Sequence, residues 1–430
     1  MCTPAWAQDG RPSRPYRGLF GRDSRDSAQV LSVNGAVGIG YDTDVLVESR
    51  EQSVIGSTVS LTRTADYFAL FGGGVYYEDH GEHYDFGASI QSQARQYPRY
   101  STMSSHAASI SGLVRWGRRT TLTGSQTLTY EPLGAFFRFP TLFEGGIGQV
   151  DAPSPDFAVV EGAYTTLSTA ASASHQLSRR SSLTGSYYDS IGSLHGISTT
   201  GFRTQQGFLR YGHKITRNMG VHASYGYTDT RYRNGVDAYR GATYDGGVDY
   251  LRDLSVTRRT RLAVSSGLGT VKDGRYTRYF VMGTGTLTRE IGRTWEAAAL
   301  YTRGVSFFET VRLPYFYDSV TLGVSGLIAR RVQVHSSAGA TVGDLSSPNP
   351  AVSPRTNRFS TAYGVAGVLY ALSRYAGIAA DYVIYGYSID DASVLSHGLL
   401  QPQLTRHAVT VSLRAWAPIV ERGRRPNAAR

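Results

Sequence analysis

The sequence predicts an all-β protein, specifically a transmembrane antiparallel up-and-down β-barrel of about 18 strands. Three observations support this fold class. Long segments alternate apolar residues with small or polar ones, which is the period of a half-exposed strand. A short motif ending in arginine interrupts the alternation at intervals. The 15 prolines all lie outside the alternating segments, as expected for residues that cannot donate to a sheet ladder.

The interrupting motif is an apolar residue, a small residue and then arginine. It is clearest in Ser325–Val342, where alternation stops at Ala329-Arg330-Arg331 and resumes at once. An interruption between two alternating runs predicts a β-hairpin with a tight turn. We expect these turns on the periplasmic rim, with the guanidinium groups in water or against lipid phosphates. The turn arginines are Arg118, Arg179, Arg217, Arg258, Arg293, Arg330 and Arg374, and Leu61-Thr62-Arg63-Thr64 is a looser eighth copy.

Alternation places the strands in order along the chain. Each predicted strand is long enough to cross a bilayer at a tilt. The segments are 29–42, 54–63, 67–79, 103–116, 119–131, 162–176, 180–191, 202–214, 218–231, 238–252, 259–272, 276–290, 294–307, 315–328, 331–344, 358–371, 375–388 and 405–416.

The connections between these segments alternate in length. Every second one is the short arginine turn, whereas the others include the long loops 78–102, 132–161, 343–357 and 389–404. Short turns on one side and long loops on the other are typical of outer-membrane barrels. No run approaches the roughly 18 consecutive apolar residues of a membrane-spanning helix. Tyrosines near strand ends, as at Tyr385 and Tyr387, predict an interfacial aromatic girdle.

The two ends of the chain carry different signals. The only cysteine, Cys2, precedes Ala5-Trp6-Ala7-Gln8, which has the small-x-small form of a signal-peptide cleavage site. The alternative is a chance match in an ordinary terminus. We expect residues 1–7 to be a remnant of a signal peptide and 8–28 a flexible periplasmic leader. The barrel then spans 29–418, and 419–430 forms a basic periplasmic tail.

Strand faces predict which side chains line the pore. Val221, Ala223 and the tyrosines after them share one face, and His222 and Ser224 share the other. An apolar face toward lipid and a polar face toward a lumen are expected of a membrane barrel. Inward acids and inward bases are balanced, so the strands do not predict anion selectivity. The pore-lining candidates are Arg210, His222, Asp245, Asp249, Arg261, His335, Asp381 and Arg414.

Other site chemistries find little support in the sequence. The cluster Glu78–Asp85 includes two histidines, but on a predicted external loop an acidic tip in water is the simpler interpretation. No Gly-x-Ser-x-Gly elbow or His-Glu-x-x-His pair is present, and we predict no enzyme, cofactor or metal. The net charge of +11 comes from arginines dispersed over turns, loops and tail, with only Lys214 and Lys272 beside them, so we predict no nucleic-acid partner.

Two stretches resemble known outer-membrane barrels. Val37-Gly38-Ile39-Gly40-Tyr41-Asp42-Thr43-Asp44 resembles the first strand of barrels associated with exopolysaccharide systems. The segment from Asp381 to Tyr387, together with Arg406–Leu413, looks like the ending of bacterial outer-membrane barrels. The resemblance implies a pore that exports polysaccharide with periplasmic export proteins lacking a membrane-crossing helix of their own. The basic end after Trp416 departs from the usual aromatic strand terminus.

Three functions therefore stay open. The first is an outer-membrane pore for a secreted polysaccharide, with outer-membrane lipid, polysaccharide and a periplasmic polysaccharide export protein as its partners. The second is a general diffusion porin for small solutes. A soluble β-propeller or hydrolase is the third, although a propeller blade needs four short strands per repeat and the sequence offers two long ones.

Overall fold

The computed structural model describes residues 27–53, 56–98, 102–132, 163–195, 200–232, 238–253, 259–273, 276–307, 314–345, 357–390 and 403–424. These residues form one antiparallel sheet of 18 strands in which each strand pairs with the next. The first strand also pairs with the last, from Ser27↔Arg424 to Asp42↔Ala408, so the sheet closes into a barrel. Closure leaves no open sheet edge along the paired wall, as a lipid environment requires.

The strands follow in chain order, and their bounds are as follows. They are β1 Ser27–Ser53, β2 Gly56–His80, β3 Tyr84–Gln96, β4 Met103–Trp116, β5 Thr120–Pro132, β6 Ala163–Gln176, β7 Ser181–His195, β8 Thr200–Lys214, β9 Met219–Tyr232, β10 Ala238–Asp253, β11 Thr260–Asp273, β12 Tyr276–Ile291, β13 Trp295–Phe307, β14 Pro314–Ala329, β15 Val332–Leu345, β16 Asn357–Ala371, β17 Ala376–Ile389 and β18 Gln403–Arg424. No helix among the described residues is long and apolar enough to span a membrane.

The two faces of the sheet differ in polarity as predicted. Ile39 and Val411 are 70% and 45% exposed on the outer face, whereas Asn34 and Ser412 are buried on the inner face. Directly paired residues share a face, so the register carries this assignment around the barrel. An apolar exterior around a polar interior is the arrangement of a bacterial outer-membrane barrel, and the chain belongs in that membrane.

The predicted strand count is confirmed, and the predicted strand 29–42 lies within β1, but the second and third strands were placed wrongly. Residues 56–63 and 67–79 belong to the single strand β2, which pairs with β1 as far as Ser53↔Gly56. Leu61-Thr62-Arg63-Thr64 is therefore not a turn. The predicted loop 78–102 instead contains β3, which pairs with β2 and β4. One strand too many before residue 80 and one too few after it left the total unchanged.

The arginine turns all lie at one end of the barrel. They connect β4 to β5, β6 to β7, β8 to β9, β12 to β13, β14 to β15 and β16 to β17, in two to four residues each. Arg258 lies outside the described residues, between β10 and β11. Strand β1 begins and β18 finishes at this same end. Because short turns face the periplasm in such barrels, we assign this end to the periplasm.

The small residue of the motif forms the turn. Ser178 Oγ accepts hydrogen bonds from the backbone N–H groups of Arg180 and Ser181, at 3.1 and 3.0 Å. Thr216 and Ser373 make the same pair of bonds in their four-residue turns. In the three-residue turns, Gly117 and Gly292 adopt φ values of 66° and 65°, a conformation that favours glycine. A local hydroxyl cap and a left-handed glycine thus serve turns of different length.

The apolar residue of the motif has a separate role. It follows the last inward-facing residue of its strand and lies on the outer side of the rim. All six described examples are at least 44% exposed. An exposed apolar side chain followed closely by arginine matches a membrane interface, with hydrocarbon above and phosphate or water below. These residues are Trp116, Leu177, Ile215, Ile291, Ile328 and Leu372.

Two further sequence predictions, both at strand ends, differ from the structure. Tyr385 and Tyr387 face inward and are 0% and 5% exposed, so the interpretation of this pair as part of an aromatic girdle is wrong. The tail expected from residue 419 is, as far as Arg424, the end of β18 and pairs with β1. Residues 1–26 and most of the predicted long loops 132–161, 343–357 and 389–404 lie outside the described residues.

Candidate functional site on the inner wall

The inner wall contains all eight predicted pore-lining residues. The register places each of them on the face opposite the exposed apolar residues. Seven of the eight fall into two groups of side chains in contact. Arg261 stands apart from both groups, opposite Thr288 near the arginine-turn end of β11. The alternation along each strand predicted that these residues face inward. Which of them come into contact is seen only from the register between strands.

The first group, the β8–β11 cluster, joins four adjacent strands. Arg210 on β8 donates to both carboxylate oxygens of Asp249 on β10, at 2.8 and 2.7 Å. His222 on β9 lies between two carboxylates, with Nε2 2.9 Å from Asp245 and Nδ1 3.1 Å from Asp249. Ser265 on β11 donates a further bond to Asp249 at 2.8 Å. Each charge in this cluster therefore has an opposite charge or a hydrogen-bond donor beside it.

The second group, the β15–β18 cluster, spans the opposite part of the wall. Asp381 on β17 is 4% exposed and forms an ion pair with Arg414 on β18. His335 Nε2 on β15 lies 3.4 Å from the other oxygen of the same carboxylate. Arg414 Nε also donates to Ser412 Oγ at 3.2 Å. Gly367 on β16 lies between the strands that carry His335 and Asp381.

Because Gly367 has no side chain, the His335 and Asp381 side chains can occupy the space above it. A Cβ at this position would lie closer than 3.0 Å to both the His335 ring and the Asp381 carboxylate. We expect a Gly367→Ala variant to be less stable than the parent by about 1 to 3 kcal/mol, because the methyl group forces His335 and Asp381 apart. Urea unfolding of the refolded barrel in detergent measures this difference.

The matched control for that substitution is Gly124→Ala on β5. Nothing lies within 4 Å of a Cβ built at Gly124, so this variant tests the change from glycine to alanine without crowding. We expect its free energy of unfolding to equal or slightly exceed that of the parent. Equal stability of the two alanine variants would contradict the crowding argument.

A third group, the closing cluster, was not predicted from the sequence. Asp42 on β1 is 0% exposed and binds Arg406 on β18, which is 2% exposed; Arg406 Nε donates to Asp42 Oδ1 at 2.8 Å. Buried Arg95 on β3 lies nearby, with its guanidinium carbon 5.4 Å from the centre of the Phe68 ring. That ring lies 5.5 Å from the Tyr97 ring. This cluster joins the first strand to the last.

The strands between these clusters have a different inner surface. On β4 to β7 the inward positions carry mostly serine and threonine, here called the hydroxyl wall. Several hydroxyls bond to each other across strands, as between Thr123 and Ser172 at 2.6 Å and between Ser174 and Thr184 at 3.2 Å. Its members are Ser105, Ser109, Ser111, Thr121, Thr123, Ser125, Thr127, Thr129, Thr166, Ser168, Ser172, Ser174, Ser182, Thr184, Ser186 and Ser190.

The cluster Glu78–Asp85 does not lie on an external loop as predicted. It forms the turn between β2 and β3 at the arginine-turn end. Asp85 pairs with Arg115 at 2.7 Å and with His80 Nδ1 at 2.9 Å, and Tyr84 donates to Asp79 at 3.2 Å. Among the described residues, no group of three or more histidine, cysteine, aspartate or glutamate side chains is arranged to hold a metal ion.

Comparisons with known proteins are limited to solved structures, because no family model and no curated protein matches the chain. The FrpB iron transporter from Neisseria meningitidis is 8% identical, with 93% of this chain and 83% of that chain aligned and a TM-score of 0.43. OccK9 (OpdG) from Pseudomonas aeruginosa is 10% identical over 90% and 98% of the two chains, with a TM-score of 0.41. The outer membrane channel DcaP of Acinetobacter baumannii is 10% identical over 91% and 98%, with a TM-score of 0.37.

The geometry of the barrel itself supports a channel. Barrels of 16 to 18 strands are wide enough to leave an aqueous passage. The inner wall is mostly polar on β4 to β7, whereas buried apolar side chains such as Val383 and Tyr385 face inward on β17. The charges in each cluster are held against one another, and the hydroxyl wall carries mainly neutral donors and acceptors. The two clusters therefore pair their positive side chains with carboxylates.

Proposed function

We propose that the protein is an outer-membrane pore that conducts a secreted polysaccharide out of the cell together with periplasmic export components. The observation that supports this function most directly is the hydroxyl wall of β4 to β7. Serine and threonine hydroxyls both donate and accept hydrogen bonds, as sugar hydroxyls do. A sugar chain can therefore exchange one set of weak bonds for another as it moves, without leaving a buried polar group unsatisfied.

The pairing of the wall charges fits the same role. Unpaired arginines in a pore concentrate anions and hold them, as does a ring of acids for cations. In this barrel Arg210, Arg414 and Arg406 each have an aspartate partner. A long chain that contacts the wall at many places moves faster when each contact is weak. Paired charges beside neutral hydroxyls satisfy that condition.

The periplasmic partner in this proposal binds at the arginine-turn end. The turn arginines Arg118, Arg179, Arg217, Arg293, Arg330 and Arg374 are exposed there, on six turns between β4 and β17. An arc of like charges steers a partner with an acidic surface toward the barrel entrance. We therefore propose a periplasmic polysaccharide export protein that has an acidic docking surface and no membrane-crossing helix of its own.

A clean deletion strain tests this function. We expect the loss of the chain to abolish most cell-surface and secreted polysaccharide, and complementation with the intact chain to restore it. Polysaccharide is measured in both the cell-bound and the culture-medium fractions, so that a failure of attachment is not mistaken for a failure of export. Unchanged polysaccharide in both fractions would rule the function out.

A general diffusion porin is the second candidate, and the balanced wall charges favour it equally. It predicts a steady open conductance of the purified barrel in a planar bilayer, in the absence of any partner. It also predicts slower uptake of small solutes in the deletion strain while polysaccharide stays normal. The two candidates therefore differ in what the same deletion strain loses.

A further inference from the structure

Among the described residues, five inward-facing aromatic residues share one arrangement. Each lies directly opposite a glycine on the neighbouring strand, and its ring covers that glycine. An aromatic ring over a cross-strand glycine is a known way to stabilise a sheet at a residue without a side chain. The ring then lies along the wall, in the space that a side chain at the glycine position would fill, and does not project across the lumen. The pairs are Phe68 with Gly40, Phe208 with Gly226, Phe280 with Gly269, Tyr363 with Gly339 and Phe359 with Gly343.

Phe208 differs from the other members in its surroundings. Phe68 and Phe359 are 2% and 1% exposed, so neighbouring atoms cover their rings, but Phe208 is 39% exposed on the inner wall. A Cβ on Gly226 would lie 3.3 Å from the Phe208 ring, which places the ring against the sheet. An apolar ring facing an aqueous lumen loses hydrophobic stabilisation unless something covers it. Phe208 therefore offers an apolar surface that is available to a solute.

Polar groups surround this ring on the same face. Ser186 on β7 lies directly opposite Phe208, and Tyr188 lies one inward position further along β7. The Tyr188 hydroxyl is 3.3 Å from Ser168 Oγ on β6. Phe208 is thus placed at the edge of the hydroxyl wall, with hydrogen-bonding groups along one side of the ring.

The charge nearest along the strand is neutralised. Arg210, the next inward residue after Phe208, is held by both oxygens of Asp249. A solute on the Phe208 ring therefore meets a paired guanidinium and not a free one. This arrangement favours an uncharged solute over an acidic one, because an anion would have to compete with Asp249 for Arg210.

We propose that Phe208 is a stacking platform for an uncharged sugar ring of the conducted chain, flanked by hydrogen bonds from Ser186 and Tyr188. This inference rests on the proposed polysaccharide function and names the substrate class of its pore. The apolar C–H face of a pyranose covers the aromatic ring, while the equatorial hydroxyls reach the hydroxyl wall. An aromatic ring with polar groups at its edge satisfies both surfaces of a sugar at once.

Block of single-channel current in a planar bilayer tests the platform, with maltohexaose as the neutral probe and an oligogalacturonate as the acidic one. For the parent barrel we expect resolved blocking events with maltohexaose and fewer with the acidic probe. Phe208→Ala is expected to shorten the maltohexaose residence time about tenfold. Phe208→Trp is expected to preserve or lengthen it, and Phe208→Leu to resemble alanine if the aromatic face is what binds.

The control variant is Tyr187→Ala on β7. Tyr187 faces lipid at nearly the same height, opposite Gly207, so its removal leaves the inner wall intact. We expect its open-channel conductance and its maltohexaose residence time to equal those of the parent. Each variant is first shown to migrate as a folded barrel in an unheated gel.

Different results overturn the platform and the proposed function. Equal residence times for the parent and Phe208→Ala, or preferred binding of the acidic probe, would refute the platform even if deletion of the chain abolishes polysaccharide export. Conversely, normal polysaccharide in the deletion strain would refute the function, whatever the probes do in a bilayer. Loss of block in Tyr187→Ala would show that the effect does not arise at the Phe208 ring.

Discussion

Arg406→Ala is expected to lower the free energy of unfolding by about 3 to 5 kcal/mol, because it leaves a buried carboxylate without its partner. Asp42 is 0% exposed and Arg406 is 2% exposed, so water does not replace the lost guanidinium. The pair also lies where β1 meets β18, and its loss weakens the contact that closes the barrel. Urea unfolding in detergent, followed by the shift between folded and unfolded gel mobility, measures the effect.

Two comparison variants separate the buried charge from the loss of a side chain. The double substitution Asp42→Asn with Arg406→Met removes both charges, and we expect it to be more stable than Arg406→Ala alone. Arg303→Ala breaks a cross-strand pair with Asp318 whose side chains are 53% and 37% exposed. That change is expected to cost less than about 1 kcal/mol. A similar cost for Arg303→Ala and Arg406→Ala would contradict the argument from burial.

Asp249→Ala is expected to shift the ion selectivity of the channel toward anions, by about twofold or more in the permeability ratio. The substitution releases Arg210 from its two hydrogen bonds and removes one of the two carboxylates beside His222. The reversal potential in a KCl gradient across a planar bilayer measures this ratio. Because the cluster faces the lumen, the uncovered positive charge acts directly on permeating ions.

The reciprocal variant, Arg210→Ala, tests the direction of the change in ion selectivity. Arg210→Ala leaves Asp249 with His222 and Ser265 and is expected to shift selectivity toward cations. Ser265→Ala removes one hydrogen bond to Asp249 without changing any charge and is expected to leave the reversal potential unchanged. A shift of the same sign in Asp249→Ala and Arg210→Ala would mean that the cluster does not face the conducting path.

Alternation of side chains was sufficient to predict most of the barrel. The strands β4 to β17 agree with the predicted segments within a few residues, because most of them alternate an apolar outer face with a polar inner one. The second and third predicted strands were wrong for a local reason. Leu61-Thr62-Arg63-Thr64 has the composition of the turn motif, but those residues pair with β1 within the extended hairpin. The three-residue motif does not by itself distinguish a turn from a strand interior, because apolar and polar residues alternate on both sides of it in either structure.

Strand β3 was missed because its polar residues resemble a loop. Its outward residues Tyr84, Phe86 and Ile90 do alternate with polar ones, but acidic residues and histidines at its start favoured a water-exposed tip. In the structure, Arg115 from β4 forms an ion pair with Asp85 at the start of β3. The polar residues at the start of β3 are thus compatible with a strand because a neighbouring strand supplies an ion-pair partner. Such a partner cannot be predicted from one strand alone.

The inner-wall clusters show the same limit. Parity alone predicted that Arg210, His222 and Asp249 face inward, but not that they meet. Contact depends on the register of β8, β9 and β10, which sets their heights along the barrel. Asp42 and Arg406 lie in the two stretches that resemble known barrels, and they are 364 positions apart in the chain. Their contact follows from the strand register, which the sequence alone did not predict.

The pairing of β1 with β18 also bears on how the barrel assembles. Each arginine turn joins neighbouring strands, so hairpins can form as soon as their own residues are available. The last pairing instead brings together segments from opposite ends of the chain, and the entropy of closing so large a loop makes such contacts late ones. Until then both terminal strands have unpaired edges that can capture another chain. We therefore expect the two terminal strands to be the part of the barrel most open to mispairing during assembly.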